Sequence, residues 1–225
     1  MQALATKSTS HKTSIDMNKK WFEDVTLQGN EVELFPLEKK HADDLVNAAC
    51  DGNLWELWFT GVPNSETVDL YIDFALSEKG KGRSLPFVIY HKLKNKIIGS
   101  TRYCNADLEN KRLEIGYTWY AKSFQKTAVN TECKLLLLQH AFEILDSIAV
   151  EFRTHWHNQA SHAAISRLGA KQDGVLRNHI KDKDGCYRDT VIFSIIDHEW
   201  PVVKKSLKYK LSYNTQLTRA SSGRR

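Results

Sequence analysis

The chain has 225 residues, of which 32 are Lys or Arg and 27 are Asp or Glu, and its formal net charge is +5. Hydrophobic residues make up 41% and the mean hydropathy is −0.47, values that argue against general disorder. No stretch approaches the roughly 18 apolar residues of a transmembrane helix, and residues 1–20 lack the apolar core of a signal peptide. We therefore expect a cytoplasmic protein that does not cross a membrane.

Charge is distributed unevenly along the chain. Residues 1–20 carry a net charge of +3 and residues 201–225 carry +7, which leaves the central part at −5. We expect a flexible N-terminal segment at 1–20, a single domain at 21–211 and a flexible basic tail at 212–225. The basic ends could make weak contacts with RNA or the ribosome, or could simply be solvated.

The first half of the domain begins with an alternating strand and continues with helices. A strand is predicted at 32–37, followed by a helix over 38–50. An aromatic patch at 54–59 comes next, and Asn64 or Ser65 is placed to cap a second helix. Three strands of a meander then follow, at 85–90, 97–103 and 113–120.

The second half alternates helices and strands. Leu135, Leu138, Phe142 and Leu145 form an apolar seam that predicts a long helix after the loop 121–130. The remaining predicted elements are a strand at 148–156, a helix at 159–168, strands near 174–180 and 190–196, and a helix from about 201. Gly169 stands where a left-handed residue would end the helix. The order β-α-α-β-β-β-α-β-α-β-β-α predicts one mixed α/β domain with helices on both faces of the sheet.

The loop before the long helix is a candidate anion site. Unsatisfied amides and the helix dipole at a helix N-terminus favour a phosphate, and Lys126 adds a charge and Thr127 a hydroxyl. The glycines of a P-loop or of a dinucleotide-binding fingerprint are missing. Geometry of this kind is common to α/β proteins, so it does not by itself define a function.

Five short motifs give a more specific indication. They are Glu114-Ile-Gly-Tyr117, the run 125–132 (QKTAVNTE), Asn158-Gln-Ala-Ser161, Arg167-Leu-Gly-Ala170 and Gly174-Val-Leu-Arg177. In this order and spacing the chain resembles the GNAT acetyltransferase superfamily, and within it the RimJ/RimL-type branch, which acetylates protein N-termini and small amines. The resemblance extends from about residue 31 to 211 and implies a central, mostly antiparallel mixed sheet.

The resemblance also implies acetyl-coenzyme A as co-substrate. The pyrophosphate would rest on backbone amides of the loop, and the expected contacts there are Gln125, Lys126, Thr127, Ala128, Val129, Asn130 and Thr131. Pantetheine would pair with the strand end formed by Thr118, Trp119 and Tyr120, and Asn158 would hold its amides. Metal ions are not implied.

The loop departs from the family pattern at three positions. Ala128 and Asn130 replace small glycines, and Lys126 stands where many relatives have another glycine. Ala costs little if its φ is negative, and Asn tolerates left-handed geometry or serves as an N-cap. Lys126 could contact a phosphate, or its side chain could plug the turn.

The resemblance further implies two catalytic residues. Ser161 matches the family serine that donates a proton to the coenzyme A sulfur, although it could instead cap the helix at 159–168. Glu114 matches the frequent base, although it could instead be a salt-bridged strand carboxylate. His179 is a further candidate base, because it stands where relatives often have a carboxylate.

Several other residues could serve the acceptor. Trp55, Trp58 and Phe59 could line the acceptor pocket, a common use of this segment in the fold, or belong to the core. Arg102 and Arg188 could contact the acceptor or a phosphate, or lie on the surface. The histidines His155, His157 and His162 could bind a metal, but no carboxylate or cysteine completes the set. Cys50, Cys104, Cys133 and Cys186 form no CxxC pair, as expected of free thiols in a reducing compartment.

Acceptor basicity favours weakly basic amines. An α-amine with a pKa near 7.8 is about 14% neutral at pH 7. Deprotonation of a lysine side chain, with a pKa of about 10.4, costs roughly 4.6 kcal/mol at that pH. The sequence therefore predicts an N-acetyltransferase, monomeric or homodimeric, that acts by direct transfer on a protein N-terminus or a small amine. The alternatives are a small-molecule or antibiotic acetyltransferase and a non-catalytic acyl-coenzyme A-binding or ribosome-associated module.

Overall fold

A computed structural model describes residues 21–182 and 184–222 of the chain, with side chains up to residue 213. The described strands are β1 Leu27–Gln28, β2 Val32–Pro36, β3 Leu85–His91, β4 Lys96–Asp107, β5 Arg112–Tyr120, β6 Ala149–His155, β7 Lys171–Lys181 and β8 Tyr187–Ile196. The described α-helices are α1 Ala42–Cys50, α2 Val68–Gly80, α3 Ala128–Glu143, α4 Gln159–Leu168 and α5 Trp200–Ser222. The predicted order of elements is confirmed, with β1 as an addition.

All eight described strands form one sheet in the order β1-β2-β3-β4-β5-β6-β8-β7. Neighbouring strands are antiparallel except β5 and β6, which run parallel. The predicted mixed, mostly antiparallel sheet is therefore confirmed. The parallel pair lies in the middle of the sheet, and this position determines where the site forms.

Helices cover both faces of the sheet, as adjacent residues of β4 demonstrate. The Arg102 guanidinium lies over the ring of Tyr71 on α2, whereas the Tyr103 hydroxyl donates to the Leu137 carbonyl on α3, 2.6 Å away. Successive side chains of a strand point to opposite faces. Consequently α2 and α3 lie on opposite sides of the sheet, with the core between each helix and the strands.

Helix α3 buries more of its surface than the single apolar seam in its sequence predicts. Leu135 and Leu138 are buried as expected, but so are the charged residues Glu132 and Lys134. Both Glu132 carboxylate oxygens accept backbone N–H groups of residues 30–32, at 2.6–3.0 Å. This carboxylate therefore fastens the β1–β2 turn to α3.

Local signals explain several element ends. The Asn64 side chain accepts the N–H groups of Glu66 and Thr67 just before α2, and Gly169 ends α4 with a φ of 107°. The aromatic patch contains a short 3-10 helix at Leu54–Glu56.

Helix α5 continues to Ser222, past the predicted domain end at 211, so residues 212–222 belong to a helix. The predicted flexible segment 1–20 lies outside the described residues. Within the described part of the chain, none of the helices combines the length and apolar character that spanning a membrane requires.

Candidate active site

The central feature of the site is a wedge between the parallel strands β5 and β6. Backbone pairing joins them only through residues 112–114 on β5 and 149–151 on β6. Beyond Glu114 and Glu151 the strands part, although β5 continues to Tyr120 and β6 to His155. Among the residues that the structure describes, no strand pairs with the β6-facing edge of residues 115–120, so this edge can pair with an extended ligand.

A β-bulge in β5 lies just inside the wedge. Ser100 pairs with Trp119 and Arg102 with Gly116, so β5 uses one residue more than β4 over this interval. Tyr117 is the extra residue and has a φ of 51°. A bulge bends its strand and increases the local twist, which accounts for β5 turning away from β6 here.

Glu114 lies where the wedge begins. The residue is 7% exposed, and its Oε2 accepts the Asn105 side-chain amide at 2.7 Å and lies 3.4 Å from Nε of Arg153. Burial raises the pKa of this carboxyl, against the opposing effects of Asn105 and Arg153. Its Oε1 makes no hydrogen bond to any described residue and is available to accept a proton.

The loop that precedes α3 adopts the left-handed turn at a lysine. Lys126 has a φ of 60°, a left-handed conformation that glycine adopts most readily. Its side chain is exposed, so it does not plug the turn. Thr127 is the N-cap of α3 and accepts the Val129 N–H at 3.3 Å. The alternative in which Asn130 is the cap is wrong, because Asn130 lies within the first helical turn and its side chain accepts the Tyr120 hydroxyl.

The other loop residues differ in what they can offer a ligand. Val129 and Thr131 have buried side chains, so only their backbone groups can face a ligand. Ala128 is half-buried at the first helical position. The Gln125 side chain donates to the Tyr120 carbonyl at 3.0 Å, which ties the loop to the end of β5.

Strand β5 directs its last residues to alternate faces of the sheet. The Trp119 ring nitrogen donates to the Tyr71 hydroxyl on α2 at 3.4 Å. Thr118 faces α3, where its hydroxyl accepts the Lys134 ammonium at 2.7 Å. Burial lowers the pKa of Lys134 to about 8. The sequence reasoning missed this lysine, although its position one turn before Leu138 indicated the buried face.

Asn158 and Ser161 meet at the start of α4, directly after β6. The Asn158 side chain accepts the Ser161 N–H at 3.0 Å and is the N-cap of the helix. The alternative in which Ser161 is the cap is therefore wrong. The half-buried hydroxyl of Ser161 makes no hydrogen bond within residues 21–182 and 184–222, so it is free to donate to a ligand.

Part of the aromatic patch packs against the end of β6. The Trp58 ring lies 4.9 Å from the His155 ring and 5.8 Å from the His157 ring, and Phe59 packs edge-on against Trp58 at 5.5 Å. Trp58 is 67% exposed, whereas Trp55 is half-buried against the core. The open end of the wedge thus has an aromatic wall formed by Trp58 and Phe59.

The remaining histidines have local partners. A ring nitrogen of His162 lies 3.2 Å from the His155 carbonyl, and Nδ1 of His179 lies 3.1 Å from the Thr190 hydroxyl. His155 is buried, and burial together with Arg188 lowers its pKa. Within the described ranges, no three His, Cys, Asp or Glu side chains are grouped to hold a metal ion.

The two candidate arginines differ in burial. Arg188 is 26% exposed in its side chain and lies 3.7 Å from Asp182. Arg102 is 1% exposed, so a surface position is wrong for it. Its aromatic neighbours Tyr71, Phe74 and Tyr117 were not foreseen, because they come from distant parts of the sequence.

Comparisons with known proteins agree with this architecture. Residues 31–171 match the family model of the acetyltransferase (GNAT) domain. YdaF of Bacillus subtilis (strain 168), to which ribosomal N-acetyltransferase activity is ascribed, is 32% identical over 96 residues, 43% of this chain. The match spans about half of that relative's length, 51%.

Two solved structures share the fold over most of the chain. A GCN5-related N-acetyltransferase from Brucella melitensis has a TM-score of 0.75 and 28% identity, covering 85% of this chain and 87% of that one. Mycobacterium smegmatis RimJ, solved with CoA-disulfide, has a TM-score of 0.69 and 21% identity over 83% and 93% of the two chains. The resemblance inferred from the five motifs is confirmed by the family match: the chain belongs to the GNAT acetyltransferase family.

Proposed function

We propose that the protein transfers an acetyl group from acetyl-coenzyme A directly to a primary amine, and that the amine is the N-terminus of a protein. The observation that carries the proposal is the buried carboxylate of Glu114 at the point where β5 and β6 part. A proton acceptor there adjoins an unpaired strand edge that can bind an extended ligand.

The residues present fit acetyl-coenzyme A. Residues 115–120 offer backbone groups on the β6 side for pairing with the amides of pantetheine. The Thr127 hydroxyl satisfies the Val129 N–H, so the first-turn amides of Ala128 and Asn130 remain for the pyrophosphate. Lys126 is exposed beside them and adds a positive charge. RimJ, which shares the fold, was solved with a coenzyme A derivative, in keeping with this assignment.

Acetyl-coenzyme A supplies the acetyl group as a thioester, and the chain supplies proton acceptance and donation. Oε1 of Glu114 takes a proton from the amine, directly or through a water molecule, and its raised pKa favours this role. The Ser161 hydroxyl donates to the sulfur as the carbon–sulfur bond breaks, because Asn158 already caps α4 and leaves it free.

A protein N-terminus is the favoured acceptor for two reasons. An α-amine needs little help to lose its proton, which suits a site with one modest carboxylate base. YdaF has a ribosomal activity ascribed to it. A small amine is the second candidate, because the net charge of −5 over residues 21–200 would attract a cationic acceptor.

A cytoplasmic location, a monomeric or homodimeric state, and weak RNA or ribosome contact through the basic ends remain part of this proposal. If the C-terminal basic tail matters, deletion of residues 212–225 should weaken RNA binding at low salt. An unchanged affinity would make it a solvated end.

An acetylation screen tests the proposed function. The full chain is incubated with acetyl-coenzyme A and, separately, with peptides of different N-terminal residues and with polyamines or aminoglycosides, and products are measured by mass spectrometry. We expect acetylated peptide α-amines. Turnover of small amines alone would favour the second candidate, and binding of acetyl-coenzyme A without turnover of any amine would favour a non-catalytic module.

A further inference from the structure

The Arg102 guanidinium is buried without a hydrogen-bond acceptor. The residue is 1% exposed, and Nε, Nη1 and Nη2 have no partner among the described residues. Glu114, the carboxylate two pairs along the same face, is engaged by Asn105 and Arg153 instead. An unpaired buried charge is strongly destabilising, so the burial of Arg102 is not explained by a contribution to stability.

Three aromatic rings surround this guanidinium. Its carbon lies 3.9 Å from the ring centroid of Tyr117, 4.8 Å from that of Tyr71 and 5.9 Å from that of Phe74. Cation–π contacts offset part of the desolvation cost, but they leave all five N–H donors unused. We refer to these three rings as the aromatic cage.

The inner and outer walls of the aromatic cage differ. The Tyr71 hydroxyl donates to the Ser100 hydroxyl and accepts from the Trp119 ring nitrogen, so this ring is held in place. Tyr117 and Phe74 are each 51% exposed, and neither side chain makes a hydrogen bond within the described ranges. Half-exposed side chains change rotamer readily. Rotation of these two rings would open the guanidinium to solvent.

The position of Arg102 relates it to the proposed base. Arg102 pairs with Gly116 and Cys104 pairs with Glu114, so Arg102 and Glu114 are diagonal neighbours whose Cα atoms are about 7–8 Å apart. An acceptor that presents its amine to Glu114 can therefore place a group only a few bonds away against Arg102. The planar fork of N–H donors matches a carboxylate with two parallel hydrogen bonds.

We propose that Arg102 binds a carboxylate that the acceptor carries within a few bonds of its amine, once Tyr117 and Phe74 turn aside. The acceptor is then an N-terminus with an acidic first residue, or a free amino acid. This inference rests on the proposed acetyltransferase function. It makes Arg102 a specificity residue for the acceptor.

Matched acceptors test the inference. Acetylation rates of the wild-type full chain are compared for two peptides that differ only in a first residue of Asp or Asn, and for the free amino acid alanine and its amide, alaninamide, at matched concentrations of the neutral amine. We expect kcat/KM to be about tenfold or more higher for the acidic member of one pair, mainly through KM. The pair that shows the preference identifies the source. Equal rates within both pairs would overturn the proposal.

Variants then assign the preference to Arg102. In Arg102→Met the ratio within the preferred pair should fall to about twofold or less, and Arg102→Lys should retain part of it, because a lysine keeps the charge but not the fork. The control Arg83→Met removes an exposed arginine bound to Glu78 and should leave the ratio unchanged. A full preference in Arg102→Met contradicts the inference.

Other results separate this inference from the proposed function. Wild type that acetylates none of the amines contradicts the function itself. If neither Arg102 variant folds, competition against the wild-type reaction by the two acetylated products of the preferred acceptor pair decides. Stronger inhibition by the acidic product supports the inference, and equal inhibition rejects it.

Discussion

A methyl group on Gly116 would lie 2.8 Å from Oε1 of Glu114 and 3.1 Å from the Cys104 sulfur. Gly116 and Glu114 are two positions apart on β5, and the absence of a side chain at Gly116 leaves room for the Glu114 carboxylate. Gly116 therefore keeps the proposed base in the wedge. This contact explains physically why a glycine stands two residues after the glutamate in the Glu-Ile-Gly-Tyr motif of this chain.

Gly116→Ala is expected to reduce activity more than stability. The added methyl group meets flexible side-chain atoms rather than backbone, so the fold can accommodate it. We expect the free energy of unfolding to fall by only about 1–2 kcal/mol, while Oε1 of Glu114 is displaced. We expect kcat to fall at least about tenfold, measured with the best peptide acceptor. Gly80→Ala is the control, since nothing lies within 4 Å of its added carbon. Wild-type turnover in Gly116→Ala would mean that the position of Glu114 is not critical.

Glu114→Gln should lower kcat by about 10²-fold, since it removes the proton acceptor. In contrast to its effect on kcat, this substitution should be favourable for stability at neutral pH. Burial raises the pKa of Glu114, so the folded state binds the proton more tightly than the unfolded state. Wild type should therefore lose stability relative to Glu114→Gln as the pH rises above about 4.3, the unfolded value. Urea denaturation at pH 4 and pH 7.5 measures this difference, and a lower relative stability of the variant at pH 7.5 would contradict it.

Ser161→Ala should reduce kcat by about 10²-fold with little change in stability. The reason is that Asn158, not Ser161, caps α4. Asn158→Ala is the contrasting variant and should cost about 1 kcal/mol through loss of the cap. Ser166→Ala, on the exposed part of the same helix, is the control for kcat. Full turnover in Ser161→Ala would remove this residue from the proposed mechanism.

Lys134→Met should stabilise the protein at pH 7. Burial lowers the pKa of Lys134 to about 8, so the unfolded state binds its proton more tightly, and wild type gains stability as the pH rises from about 8 to 10.4. The variant should exceed wild type at pH 7 by on the order of 2–3 kcal/mol, and by less at pH 10. The exposed Lys205→Met should change stability by less than about 0.5 kcal/mol at either pH. An advantage of Lys134→Met that grows with pH would be inconsistent with this account.

Much of the fold was predictable from periodicity. The alternating strands, the apolar spacing of α3 and the left-handed Gly169 are local signals, and each predicted element is present. Two helix bounds differ from the prediction: α1 begins at Ala42 after a 3-10 turn at Lys39–His41, and α3 ends at Glu143, before Leu145. The two-residue strand β1 gave no such signal, because its pairing with β2 depends on the turn that Glu132 holds from α3.

The site was predictable where it depends on motifs and not where it depends on tertiary neighbours. Glu114 lies where β5 and β6 part, and Asn158 follows the end of β6, so both motifs lie near the wedge while their roles stay predictions. The burial of Arg102 and Lys134 arises from residues far away in sequence, such as Tyr71 and Phe152. The bulge at Tyr117 interrupts a strand whose alternation gave no sign of it.

In the proposed complex, acetyl-coenzyme A binds in the wedge with its pyrophosphate on the loop before α3. Isothermal titration of the full chain with acetyl-coenzyme A measures this binding. We expect saturable one-to-one binding with a dissociation constant well below about 1 mM, that is, a binding free energy stronger than about −4 kcal/mol. Absence of binding up to that concentration would contradict it.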